Sequence, residues 1–201
     1  MNLFRRVRRR FEGFDAARYW QREYASGGSS GAGSGGFNYE FKRDYVTSVI
    51  RRFGIASVID FGCGDGGQVR ELPVAEYYGL DVAQAAIDRC RKLYGDRSGW
   101  RFDLLSHAVV GRYDLALSLD VLYHVTEYQD YLAYLRRLFT AAPLVLIYAN
   151  RQGRPKQDAP HILWRDHRAE IARLISDRFA MIEASPHPTK STGFYLYSSF
   201  A

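Results

Sequence analysis

Cysteine is scarce in this chain of 201 residues: Cys63 and Cys90 are the only two. Two thiols make no disulfide framework, so the sequence points to a reducing compartment, the cytoplasm. Long apolar runs are missing as well. Pro143 to Ala149 is far too short for a bilayer span, which needs roughly 20 residues. No apolar h-region follows the N-terminal arginines, so no secretory signal is expected. Acidic residues are absent from positions 1–10, which hold Arg5, Arg6, Arg8, Arg9 and Arg10. Setting those five aside leaves 23 of the 28 basic side chains, against 22 acidic ones. The net charge of +6 therefore belongs to a tail. A nearly neutral body offers no broad nucleic-acid-binding face, so DNA is not an expected partner and RNA is disfavoured.

The length suits one domain with a real core. Leu3, Phe4, Val7, Phe11 and Phe14 recur at three- and four-residue spacing between arginines, the pattern of a basic amphipathic helix that could run on through Tyr19, Trp20 and Tyr24. Its stripe is expected to pack on the domain. The other reading is peripheral contact of residues 1–14 with an anionic membrane surface or an acidic partner. Ser26 to Gly36 contains only glycine, serine and alanine and reads equally as a mobile lid or an inert linker. The expected organisation is an N-terminal helix and Gly/Ser segment over residues 1–38, then a domain over 39–201.

From Tyr39 to Phe53 the pattern is helical. Strand signals then fall at Ser57–Phe61, Glu76–Leu80, Trp100–Phe102, Tyr113–Leu119, Leu144–Tyr148, Phe179–Glu183 and Phe194–Phe200. Helical patterns fill Gln68–Leu72, Ala83–Tyr94, Glu127–Thr140 and Trp164–Ser176. Such alternation predicts an α/β fold, a Rossmann-like seven-stranded, mostly parallel sheet with helices on both faces. Ala184 to Gly193 holds Pro186 and Pro188 and no helical run, which suits an antiparallel last strand.

The densest signal is Ser57-Val-Ile-Asp-Phe-Gly-Cys-Gly-Asp-Gly-Gly67. A buried strand ends at Asp60 and Phe61, and a turn built on Gly62, Gly64 and Gly66 follows. Glycines there let the backbone approach a ligand. Asp81, 19 positions after Gly62, ends the second strand, where a carboxylate can accept both hydroxyls of a ribose. The same spacing satisfies a dinucleotide fingerprint. An acid ahead of the glycines (Asp60) and one within the turn (Asp65) would repel a pyrophosphate, yet Asp60 suits an ammonium.

With that acid in place, the pattern resembles the first motif of class I S-adenosylmethionine-dependent methyltransferases. The likeness extends over about residues 40–201, and is most specific for small bacterial stand-alone members with a Ser-Gly-x-Gly-Ser segment, here Ser30 to Ser34. The stretches Ser118-Leu-Asp-Val-Leu-Tyr-His124 and Ala159-Pro-His161 also match that group. The resemblance implies S-adenosylmethionine as cofactor and S-adenosylhomocysteine as product. It places Asp60, Gly62, Cys63, Gly64, Gly66, Asp81, Val82 and Leu119 around the cofactor. It also sets Asp103 on the adenine amino group and the backbone of Leu104 on the ring. Ser-Leu-Asp-Val replaces the Asn/Asp-Pro-Pro-aromatic motif of nucleobase amino methylases, which speaks against that activity.

Methyl transfer to a hydroxyl needs proton removal, for which histidine is suited. His124, after the fourth strand, and His161, after the fifth, are the candidate bases. Tyr123 and His161 are the candidate acceptor contacts. Asp158, His161, Asp166 and His167 match no firm metal-ligand spacing, so no metal is expected. The expected reaction methylates an oxygen, ahead of a nitrogen, of a small molecule or glycan precursor. The alternatives are a nicotinamide-dependent oxidoreductase, an RNA methyltransferase and a non-catalytic cofactor-binding partner. No Tyr-x-x-x-Lys supports the first of these.

Overall fold

A computed structural model describes residues 14–31, 35–109, 111–151, 156–175 and 177–199. Two helices precede the sheet: α1, Ala16–Ala25, and α2, Gly36–Phe53. The Asp15 carboxylate caps α1 by accepting from the Arg18 N–H at 2.8 Å. Gly54 ends α2 in the left-handed region, at φ 63°, and lets the Ile55 N–H reach the Ile50 carbonyl at 3.0 Å. The chain then runs β1 (Ser57–Phe61), β2 (Glu76–Asp81), α3 (Gln84–Tyr94), β3 (Trp100–Leu104) and β4 (Leu115–Leu119). A 3-10 turn (Leu122–His124), α4 (Tyr128–Ala141), β5 (Leu144–Asn150) and a small hairpin follow. The hairpin strands are β6 (Lys156–Ala159) and β7 (Ile162–Trp164). The chain closes with α5 (His167–Ile175), β8 (Phe179–Pro186) and β9 (Thr192–Ser199).

Seven strands form one sheet in the order β3-β2-β1-β4-β5-β9-β8. Only β9 runs antiparallel to its neighbours, pairing β5 on one side and β8 on the other. Alternation along each strand divides the core. Ile59 and Phe61 of β1 pack with Tyr131, Leu135 and Leu138 of α4 on one face. Val58 packs with Val46 and Val49 of α2 and Ile87 of α3 on the other. The strand order reverses between β1 and β4, because successive connections leave β1 in opposite directions. A crevice opens at that point, at the carboxyl ends of the strands, where open α/β sheets bind ligands.

Four local expectations need correction. Residues 68–72 are not helical; single-turn bonds, Val69 N–H to Gly66 O and Leu72 N–H to Val69 O, fill the short space between Gly67 and Pro73. The β6–β7 hairpin occupies a stretch expected to be loop, and Trp164 belongs to β7, so α5 starts only at His167. In place of the long Ala184–Gly193 connection, β8 and β9 pair to Pro186 and Thr192, with a bulge between Met181 and Glu183. At the amino end, α2 begins at Gly36, ahead of Tyr39. The basic helix expected over residues 1–14 lies outside the described residues apart from Phe14. Among the described residues no helix is long and apolar enough to cross a membrane.

Candidate active site

The crevice holds a cavity of about 550 Å³, within the range of small-molecule sites. Its floor begins at the end of β1. Gly62 has φ 92°, and a Cβ there would stand 2.4 Å from Val121 Cγ2. Leu80 O of β2 accepts from the Gly62 and Cys63 N–H groups at 2.7 and 3.0 Å, fastening the turn to the neighbouring strand.

Two acids face this turn. Asp60 is buried, and its Oδ2 accepts from the Tyr77 hydroxyl at 2.8 Å. Oδ1 of Asp60 has no donor among the described residues. Burial pushes its carboxyl up to about 6, against the opposing pull of the Tyr77 bond. Asp81 accepts from Gly64 N–H at 3.0 Å and Ala83 N–H at 2.9 Å. Burial raises it also to about 6 despite those bonds. Both acids, together with Gly62, Cys63, Gly64, Val82 and Leu119, line the cavity.

Other sequence candidates lie elsewhere. Asp103 accepts from the Tyr78 hydroxyl at 3.1 Å and from Arg91 at 2.5 Å, behind the cavity wall. Leu104 is off the wall too, while Leu105 and Ser106 stand on it. Gly66 is packed behind the turn, where an added Cβ would meet Tyr94 at 2.6 Å and Cys90 Sγ at 3.1 Å.

The 3-10 turn after β4 supplies the opposite wall. His124 Nδ1 lies 2.8 Å from the His161 carbonyl. A carbonyl only accepts, so Nδ1 carries the proton and Nε2 keeps its lone pair. Burial lowers the imidazole to about 4, leaving it neutral at pH 7. The His161 side chain stacks on Tyr19 of α1 at 4.6 Å and stays off the cavity wall; it meets His124 through its backbone carbonyl and through ring stacking at 5.7 Å. The Tyr123 hydroxyl donates to Asp120 Oδ1 at 2.7 Å.

Three features were missed from sequence. Lys42 of α2, 2% exposed, reaches Asp120 Oδ2 at 2.6 Å. Asp120 is the one non-glycine residue with positive φ (62°) among those described. Its neighbours Ser118 and Tyr123 had been singled out, but a partner 78 residues away leaves no mark in spacing. Finally, Trp20 and Tyr24 of α1 line the cavity, and Ser30 seals the glycine turn. Ser30 Oγ donates to Asp65 Oδ1 at 2.8 Å, with the Tyr24 hydroxyl 3.2 Å away. Among the described residues no group of three or more His, Cys, Asp or Glu side chains is placed to hold a metal ion.

Residues 59–141, β1 through α4, match the family model for a methyltransferase domain. No curated protein matches the chain in sequence. Solved structures do match the fold of this domain. The N-methyltransferase NodS from Bradyrhizobium japonicum WM9, in complex with S-adenosylhomocysteine, superposes with a TM-score of 0.70 at 13% identity, covering 94% of this chain and all of that one. Magnesium protoporphyrin IX methyltransferase from Synechocystis PCC 6803, with bound S-adenosylmethionine, gives 0.65 at 16% identity, over 92% of this chain and 98% of its own. A methyltransferase from Clostridium acetobutylicum ATCC 824 gives 0.62 at 10% identity, over 80% and 91%.

Proposed function

We propose that this chain is an S-adenosylmethionine-dependent methyltransferase acting on a small molecule, such as a glycan precursor, bound between the glycine turn and the 3-10 turn. S-adenosylmethionine, when bound, supplies an activated methyl group on a sulfonium. The residues present fit that group. Asp60 Oδ1, buried without a donor, suits the ammonium of its amino-acid end. Asp81, at the end of β2, suits the ribose diol, and the open backbone of Gly62 to Gly64 suits close approach. Leu105 and Ser106, which reach the cavity, suit the place beside the adenine that the family resemblance implies for Asp103 and Leu104.

The observation that carries the reading is His124, neutral and with Nε2 free, on the same cavity as Asp60 and Asp81. From there Nε2 receives the hydrogen of the acceptor group and turns its nucleophilic atom toward the methyl. The chain's further contribution is alignment and exclusion of water, which together supply on the order of 7–11 kcal/mol in well-oriented reactions. Trp20 and Tyr24 close the cavity from above. His161 assists by its carbonyl and by tying the 3-10 turn to α1 through Tyr19.

A nicotinamide reading would need room for a pyrophosphate at the glycine turn, where Asp60 and Asp65 stand instead. Calorimetric titration decides between the two: S-adenosylhomocysteine binds and NAD does not. Saturable binding of NAD alone would overturn the assignment. His124→Gln is expected to lower turnover 10²- to 10⁴-fold, the usual range for a proton-handling side chain. Its affinity for S-adenosylhomocysteine should stay within about twofold of wild type, as expected for a residue that leaves ground-state binding alone. A variant with full turnover would remove His124 from the mechanism.

A further inference from the structure

We infer that the methylated atom is the nitrogen of an amine carrying two N–H bonds. This rests on the methyltransferase reading above and names the acceptor class. Two residues of one 3-10 turn, Tyr123 and His124, line the same cavity, and each carries an atom fixed as a hydrogen-bond acceptor. The carbonyl of His161 takes the Nδ1 proton of His124, so Nε2 offers only a lone pair. Asp120 takes the single hydroxyl proton of Tyr123 at 2.7 Å, so Tyr123 Oη likewise offers only lone pairs. That direction is locked, because Asp120 is itself held in a salt bridge by Lys42 at 2.6 Å, and a carboxylate in such a pair accepts without donating. Lys42 is buried and sits 5.4 Å from the centre of the Tyr148 ring, which leaves its ammonium little freedom to turn away.

An incoming nucleophile that satisfies both acceptors must bring two hydrogens. A hydroxyl has one, and would leave a buried lone pair unmet. A primary amine has two, and once both are given its lone pair is the remaining tetrahedral direction, free to point at the methyl. In the step itself the nitrogen lone pair forms the N–C bond as the methyl C–S bond breaks and its electron pair returns to sulfur. The positive charge passes from sulfur to nitrogen, and one N–H proton of the resulting secondary ammonium leaves afterwards through Nε2 of His124 to solvent. An amine that arrives as its ammonium first loses one proton to bulk water on entering the cavity; once it is neutral, no strong base is needed during transfer, which accords with a histidine whose burial makes it a weak one.

The test uses aza-analogues of S-adenosylhomocysteine, in which the sulfur is replaced by nitrogen bearing a two-carbon arm. The arm ends in an amine, a hydroxyl or a trimethylammonium group, and each compound is titrated calorimetrically into the full chain. The amine arm is expected to bind about tenfold tighter than the hydroxyl arm, the worth of about one good hydrogen bond. Tyr123→Phe should erase that advantage while leaving affinity for S-adenosylhomocysteine intact. A hydroxyl arm that binds as well as the amine overturns the inference. A trimethylammonium arm equal to the amine overturns it too, since charge and not donor count would then be selected. If S-adenosylhomocysteine binds and no arm adds affinity, the acceptor site does not lie at this turn and the inference also falls. Failure of S-adenosylhomocysteine itself to bind would instead refute the cofactor reading beneath it.

Discussion

Single atoms decide most of the chemistry at this site. Gly62 shows how tightly: its φ of 92° disfavours any side chain, and the space a Cβ needs is taken by Val121. Gly62→Ala is therefore expected to cost about 1–3 kcal/mol in backbone strain alone, with further loss from the contact. Differential scanning calorimetry reads the drop, and an unchanged melting temperature would mean the turn is not held as described. The two acids beside it were legible from sequence because they follow or precede glycines at fixed spacing. The Lys42–Asp120 pair was not, because its members are joined only when α2 folds across the end of β4. Asp103 stands off the cavity wall for a related reason. A strand-end acid in sequence says nothing of the Arg91 side chain that draws it behind the wall.

At the level of elements, the start of α5 carries an identifiable liability. His167 is 2% exposed, packs edge-on against Tyr195 at 4.7 Å, and neither ring nitrogen has a hydrogen-bond partner among the described residues. Burial lowers it to about 4. The unfolded chain, with an ordinary histidine near 6.5, binds the proton that the folded chain refuses. Its contribution to stability is thus complete above pH 6.5 and is lost as pH falls toward 4, by up to about 3 kcal/mol. Asp60 and Asp81, raised to about 6, act in the opposite sense: the folded chain holds their protons more firmly, and their contribution is lost as pH rises through 6. His167→Phe separates the two effects. Urea melts of variant and wild type should diverge in favour of the variant as pH falls from 7 to 4.5, and parallel curves would contradict the burial argument. Strands and long helices were legible from alternation and helical spacing. The β6–β7 hairpin was not, since Pro160 and the short polar run around it read as loop until the two strands pair with each other.

Across the whole molecule, the sheet and the N-terminal segment meet over the cofactor end of the cavity. The Gln21 side chain of α1 accepts from the Ala85 N–H at 3.0 Å, serving the start of α3, where Ala83 provides no side-chain cap. Arg89 of α3 donates to the Gly28 carbonyl at 3.1 Å, and Ser30 reaches Asp65 in the glycine turn. Composition alone left residues 26–36 open between lid and linker. Among the described residues of that segment the contacts fall on Gly28 and Ser30, and the lid reading can be tested at Ser30. Ser30→Ala removes one latch and should speed S-adenosylhomocysteine release several-fold in stopped-flow displacement, about what one lost hydrogen bond allows. Release at the wild-type rate would return the segment to the role of a spacer. The seven-stranded, mostly parallel sheet was foreseen from the alternation of strands and helices, whereas this cover depends on contacts 35 and more residues apart.

Beneath all of this lies one proposal, a nucleoside sugar gripped by Asp81 at the end of β2. Titrating S-adenosylhomocysteine into wild type and Asp81→Ala, side by side, measures it most directly. The account predicts one site per wild-type chain and an affinity at least tenfold weaker in the variant, the loss expected when a charged hydrogen-bond acceptor is removed. Equal affinity in the two proteins, with the variant still folded, would contradict it.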